Sequence, residues 1–212
     1  MARGHRDPLT DLRIEPVTAE NAGDLDALFA SGDPRVCQCA YMRLANAEWS
    51  WSSRDANRAV HHRAIADACA DGRAAGLIAY HDDVAVGWVS FDRREAYGRL
   101  TSSRLLRPID DRPVWSIVCF VVAPAARRTG VARRLLAATL DYAREHGIRL
   151  VESYPVDVAS ATRSKRSAAE LWRRTVPMFE QAEFTTVGVR RQHSTAPPRP
   201  IMRRALRARR SR

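Results

Sequence analysis

Apolar positions along the chain fall into short alternating runs and longer helical stripes. Residues 12–17, LRIEPV, read as a brief extended run, and Thr18 stands where it can cap a helix over 19–30, with Leu25, Leu28 and Phe29 on one face. Residues 31–52 show no clean period and carry Tyr41, Trp49 and Trp51, which suggests a substrate-side loop or broken helix. Ser52, followed three residues later by Asp55, has the spacing of a capping box. Val60, Ala64, Ile65, Ala68 and Cys69 then recur at helical spacing up to an Asp71-Gly72 stop.

Two further runs, 75–81 and 84–92, are separated by Asp82-Asp83, the length and polarity of a hairpin turn. Residues 114–122, VWSIVCFVV, are almost continuously apolar, as expected of a central strand covered on both faces and ended by Pro124. Residues 131–147 are helical by periodicity, through Val131, Leu135, Leu136, Ala138, Thr139 and Tyr142, with Gly147 as a left-handed cap. A strand over 148–157 limited by Pro155, helix over 167–182 interrupted at Pro177, and a strand over 184–192 follow. RPIMRRAL is expected to pair as an edge strand, leaving 207–212 as a basic disordered tail. The order predicts an α/β chain with a mixed sheet flanked by helices, one domain over 1–206.

The composition supports a globular reading. Of 212 residues 45% are hydrophobic and 28% charged, enough to build a core and too apolar for disorder or a fibrous class. No run of 18 apolar residues is present, and no apolar run follows the charged start, so a membrane anchor is not expected and the chain is read as cytoplasmic. The four cysteines are read as thiols. Cys37 and Cys39 form a CxC pair able to supply two metal ligands, but no second pair follows, so no metal site is expected. His61 and His62 are read as helix surface.

The formal charge of +11 changes less than it promises. Nine arginines lie between Arg190 and Arg212 and no acidic residue follows Glu183, which leaves +2 on residues 1–189. All but one of the 35 basic residues are arginine, Lys165 being the exception.

The most informative stretch is VVAPAARRTGVARRLL, residues 121–136. A buried strand enters a tight loop with Gly130 and a helix starts at once, so the amides of Thr129 to Ala132 point outward at the helix's positive end. That is a phosphate cradle. Gly130 permits close approach or positive φ, Ala132 is small enough to keep the helix against the sheet, and Arg127 and Arg128 add charge.

Here the sequence resembles the GNAT superfamily of N-acyltransferases, whose pyrophosphate loop reads Q/R-x-x-G-x-G/A after a strand and a proline. Arg127, Gly130 and Ala132 match its defined positions, and the element order matches along the chain. CQCAYMRL, RPVWSIVCFVV, VESYPVD and RPIMRRAL further resemble a small actinobacterial-type subgroup. The resemblance implies an acetyl-CoA or other acyl-CoA donor. Its pyrophosphate would rest on Arg127, Arg128, Thr129, Gly130, Val131, Ala132 and Arg133, and its pantetheine beside Phe120, Val121 and Val122. The acceptor would be the primary amine of a small molecule.

The chain departs from the family's common catalytic pattern twice. No carboxylate lies on 114–122, and MFEQAEF puts Phe179 where the family's tyrosine acid stands. Tyr154, Glu152 and Asp157 are the substitutes; alternation places Glu152 and Tyr154 on one face. A packed aromatic and an arginine-paired carboxylate are the plainer readings. Tyr41, Trp88 and Trp115 are candidates to line the acceptor pocket, although tryptophans on strands are more often core. Cys37 and Cys119 would serve as nucleophiles only if an acyl-enzyme formed.

Two other classes remain open from sequence. A GNAT-like fold could use or modify a charged tRNA through Arg163, Arg166, Arg173, Arg174 and the tail. It could also bind coenzyme A without turnover. A monomer and a homodimer are equally compatible with the sequence.

Overall fold

The computed structural model describes residues 9–30, 34–103, 106–155, 175–191 and 198–207. In chain order they form β1 (Arg13–Pro16), α1 (Gly23–Leu28), α2 (Pro34–Cys37), α3 (Asn46–Trp49), α4 (Arg54–Ala70), β2 (Gly76–His81), β3 (Val84–Arg93), α5 (Gly98–Ser102), β4 (Trp115–Val122), α6 (Val131–Glu145), β5 (Leu150–Ser153), α7 (Thr175–Gln181), β6 (Thr185–Arg190) and β7 (Arg199–Ala205). The seven strands make one sheet in the order β1-β2-β3-β4-β5-β7-β6. Every neighbouring pair is antiparallel except β4 and β5, which are parallel and joined through α6. This is the expected mixed α/β sheet.

Strand β3 shows how the faces are assigned. A Cβ built on Gly87 would lie 2.6 Å from Val131 Cγ1, so glycine is what lets α6 settle onto the sheet there. Its neighbour Trp88 points the other way and meets the His61 ring of α4 at 5.4 Å. Leu135, Leu136 and Leu140 of α6 bury their side chains on the first face, each worth about 1.5–3 kcal/mol. Asp82 and Asp83, both with positive φ, close the β2–β3 hairpin as expected.

Several boundaries differ from expectation. Ser53, not Ser52, caps α4, its hydroxyl accepting from the Ala56 amide at 3.2 Å. Thr18 does not cap α1; it closes a turn of its own with Asn21, and the helix starts at Gly23. Residues 34–37 and 46–49 are two short helices within the stretch that lacks periodicity. His61 is 1% exposed, lodged between Phe29 and Trp88, because the opposite face of α4 is already turned to solvent. Burial drives its pKa well below the ordinary histidine value, so it is neutral. His62 is half exposed, 2.9 Å from Asp26.

The C-terminal strands are also arranged differently. β7 is interior, paired with β5 on one side and β6 on the other, which explains why Ile201 and Met202 are buried. The edge is β6. β5 stops at Ser153, short of the expected strand over 148–157. Asp157, the helix before Thr175, and the tail beyond Arg207 lie outside the described residues. No helix among those described is long and apolar enough to cross a membrane.

Candidate active site

Strands β4 and β5 pair over three positions only, Trp115 with Val151, Ser116 with Glu152 and Ile117 with Ser153. Past Ile117 β4 continues for five residues bonded to β3 alone. Among the described residues no strand pairs with its other edge there, and Cys119 to Val122 are half-buried where a doubly covered strand was expected. The β3–β4 register also slips between Ser90 and Phe91, which places Val118 opposite no partner and bends the strand where the opening begins. Backbone groups alternate along the strand, so those of Val121 are turned to β3 and those of Phe120 and Val122 to the gap. Across it the ring of Phe120 lies 6.2 Å from Phe179 of α7, and Phe179 packs in turn on Phe184.

The loop after β4 has the geometry of an anion cradle. Arg128 (φ 72°) and Gly130 (φ 92°) both lie in the left-handed region, so successive amides turn to a common side. Among the described residues the amides of Arg128, Thr129, Gly130, Val131 and Ala132 donate to no backbone acceptor, whereas that of Arg133 donates to the Gly130 carbonyl at 3.0 Å. The unpaired run thus ends at Ala132 and begins at Arg128, one residue before Thr129. Arg127 anchors the loop, its Nε donating to the Val122 carbonyl at 3.2 Å, and the Thr129 hydroxyl donates to the Ala126 carbonyl at 2.7 Å. Val131 faces Gly87, so it and not Ala132 makes the close contact with the sheet. Arg128 and Arg133 stay exposed and can meet a charged ligand.

On the opposite face from α6, a row of polar side chains crosses the sheet. Asp92 on β3 stands beside Ser116 on β4, Ser116 beside Glu152 on β5, and Glu152 beside Arg203 on β7. All four are buried. Glu152 accepts from the Arg203 guanidinium at 2.5 Å through one oxygen and from the Tyr154 hydroxyl through the other. Arg203 also donates to both oxygens of Asp110, at 2.6 and 2.8 Å. This pairing lowers the Asp110 pKa to about 2, and the two carboxylates hold Arg203 firmly charged. Burial, then the adjacent Glu152 charge, push the Tyr154 phenol well above its ordinary value. Glu152 on β5 and Tyr154 just past its end are thus already committed, Glu152 to an ion pair and Tyr154 to Glu152. At the other end Asp92 accepts from Arg43 at 3.1 Å and from Arg73.

The three aromatic candidates are not brought together. Trp88 is 0% exposed and its indole N–H donates to the Cys39 sulfur at 3.2 Å, so it is core. Trp115 packs on Phe91 of the α6 face, at the end of β4 away from the gap. Tyr41 is 43% exposed, edge-on to Trp49 and beneath Arg99. Asp92, Ser116 and Arg203 escaped sequence reading. Only the first left a signal, the period-two Ser90 and Asp92 in an otherwise apolar strand; the partners lie on other strands.

The model of the acetyltransferase (GNAT) family matches residues 40–171. The chain belongs to that family. It is a GNAT N-acetyltransferase whose donor is acetyl-CoA, and its open β4 edge and unpaired amides suit that donor's pantetheine and pyrophosphate. Among solved structures it is similar to a GNAT acetyltransferase from Streptococcus pneumoniae, at 12% identity and a TM-score of 0.56 over 92% of this chain and 99% of that one. A ribosomal-protein-alanine N-acetyltransferase from Brucella melitensis gives 18% identity and 0.56 over the same shares. A protein from Salmonella typhimurium described as a candidate acetyltransferase, solved with its cofactor acetyl-CoA, gives 15% and 0.55 over 94% and 96%. These likenesses establish the fold. No curated protein matches in sequence.

Proposed function

We propose that this GNAT protein, a single domain over residues 1–206 of the small actinobacterial-type subgroup, transfers the acetyl group of acetyl-CoA to the primary amine of a small molecule. The acceptor side of β4 is roofed: the Gly98 amide donates to the Arg43 carbonyl and the Arg99 amide to the Met42 carbonyl, both at 3.1 Å. Beneath that roof Met42, Tyr97, Leu100, Val118, Tyr154 and Ile201 pack together. Such a cover suits a slender amine over a bulky folded substrate.

The chemistry required is limited. The free amine attacks the thioester carbonyl, the developing oxyanion needs a backbone amide, and the amine must lose protons. The bend at Val118 turns one β4 amide out of the ladder at the mouth of the gap, which suits the oxyanion role. Glu152 and Tyr154 serve as positioning groups that hold β5 against β7 below the gap.

The arginines disfavour the tRNA reading. Arg199 donates to the Tyr154 carbonyl, Arg203 to Glu152 and Asp110, and Arg204 to the exposed Glu183, so three of the nine late arginines already have partners within the protein. Arg163, Arg166, Arg173 and Arg174 lie outside the described residues. The test is a thermal-shift comparison of acetyl-CoA and tRNA, followed by thiol release from acetyl-CoA with a panel of primary amines. Stabilisation by acetyl-CoA, about 2.7 kcal/mol at a hundred times its dissociation constant, with turnover on a small amine supports the reading. Stabilisation by tRNA alone overturns it.

A further inference from the structure

Arginines outnumber their carboxylate partners on the acceptor side of the sheet. The acids there are taken: Asp92 accepts from Arg43 and Arg73, and Glu152 and Asp110 share Arg203. Three further arginines, Arg99, Arg190 and Arg199, have no carboxylate within ion-pair distance among the described residues.

Two of these stand at the mouth of the gap. Arg199 opens β7 on the face it shares with Ile201 and Arg203, and its Nη1 donates to the carbonyl of Tyr154, just past the end of β5, at 3.0 Å. Arg99 comes from the roof and is 5% exposed. Its Nε donates to the Tyr41 carbonyl at 2.7 Å, its guanidinium lies 3.9 Å above the Tyr41 ring and Nη1 donates to Asn46, while Nη2 is buried without a partner. Met42 and Leu100, which follow Tyr41 and Arg99, pack in one cluster with Val118, Tyr154 and Ile201. Roof and floor therefore close on each other beside Val118, where β4 has left β5.

Arg190 stands behind Arg199, directly opposite it on the β6–β7 ladder, with its Nε buried and unpartnered. Like charges opposed across a ladder destabilise a sheet, and an anion bound beside them turns that repulsion into attraction. Burial pulls the Arg199 pKa below its ordinary value, and the group that opposes this pull is the Tyr41 phenol, not a carboxylate. With Nη1 on Tyr154, the Nε and Nη2 edge of Arg199 is engaged by no described residue. That edge of the planar fork matches the two oxygens of a carboxylate.

Resting on the acetyl-transfer reading, we propose that the acceptor amine carries a carboxylate, bound by the free edge of Arg199, with Arg99 and Arg190 adding positive charge on either side. The substrate class is small amino carboxylates. Held beyond Tyr154, the carboxylate leaves the amine to reach back toward Val118 and the thioester. An amine without a carboxylate leaves the arginines unpaired, so the site selects against it.

The test compares each of three acids, leucine, phenylalanine and 4-aminobutyrate, with its own amide, by kcat/KM with acetyl-CoA and the whole protein. The α-amides carry the less basic amine, so a preference for their acids does not come from a larger share of free amine. In at least one pair the acid should be favoured by about tenfold to a hundredfold, and no preference in any pair overturns the proposal. Arg199→Gln should bring that ratio close to unity by raising KM for the acid, and Arg199→Lys, which keeps the charge and loses the fork, should retain part of it. Equal losses on acid and amide mark a structural role and overturn the proposal. So does a fall in acetyl-CoA affinity as large as the fall toward the acid, which would assign the arginine to the donor. Should Arg199→Gln fail to fold, Arg190→Gln should lower the ratio about twofold to fivefold, and an unchanged ratio overturns the proposal.

If acetyl-CoA binds the parent and no probe turns over, the same acids and amides are titrated by calorimetry into the coenzyme A complex, where the acids should bind more tightly and equal binding overturns the proposal. Failure of acetyl-CoA to bind removes the acetyl-transfer reading instead. The acids are then titrated into the unliganded protein: tighter binding than the amides upholds the carboxylate site, and equal binding overturns it.

Discussion

Glu152 and Arg203 face each other across the β5–β7 ladder, 2.5 Å between carboxylate oxygen and guanidinium nitrogen, both buried in the middle of the sheet. The pair joins the strand at the edge of the cofactor gap to the C-terminal strand. Without it β5, four residues long, would have little to fix its register. Its energetic signature is asymmetric. Removing the cation strands a buried carboxylate, and Arg203→Met should destabilise the protein by about 3–5 kcal/mol in urea unfolding. Asp110→Asn should cost clearly less, since Asp110 is partly solvated and Glu152 keeps its partner.

The same network sets an acid limit. Asp110 has a folded pKa of about 2, below its ordinary value, so its contribution is fully present above about pH 4 and is lost as pH falls toward 2. Asp110→Asn should therefore flatten the acid side of a stability–pH curve in that window. An unchanged slope would remove the pair from the acid response.

Tyr154→Phe probes the positioning role. The phenol donates to a buried carboxylate, so its loss should cost about 1–3 kcal/mol of stability. Turnover should fall by less than about tenfold, below the range for a lost general acid. A larger fall that depends on pH would return Tyr154 to the reacting atoms.

Gly130→Val separates backbone conformation from packing. A Cβ there meets no atom within 4 Å, so no clash arises inside the protein; the penalty is the left-handed φ of 92°, about 1–2 kcal/mol. Acetyl-CoA affinity, measured by calorimetry, should fall far more than stability does, because the side chain enters the space before the cradle amides. Equal affinity in a folded variant would move the pyrophosphate elsewhere.

Truncation after Arg207 removes three arginines. Acetyl transfer should survive unchanged. If tRNA does bind, the truncation should flatten its salt dependence by about 3 in logarithmic slope. Parallel filter-binding titrations at several salt concentrations decide between these outcomes.

The strand–loop–helix cradle and the order of elements were readable because each depends on neighbours in sequence. A period of two or 3.6, a glycine able to take positive φ and a proline ending a strand are local properties of the chain. The apolar stripe of α6 and the Asp82-Asp83 turn belong to the same class. Phe179 in place of the usual tyrosine, and the absence of a carboxylate on β4, were equally plain from the residues themselves.

Tertiary structure alone decided what those residues touch. By sequence Glu152 is either a reacting carboxylate or one paired with an arginine, and which arginine is fixed only when β7 lies beside β5, a pairing across about fifty residues that no local pattern announces. Trp88 and Trp115 are by sequence either pocket-lining or core, and register puts them on opposite faces of the sheet, both packed. Cys39 reads as an ordinary thiol, and only the folding of the 38–43 loop onto β3 brings the Trp88 indole N–H to its sulfur. Local periodicity reports which face of an element is apolar; electrostatic environment is a sum over non-local neighbours, and it exists only once the chain has folded.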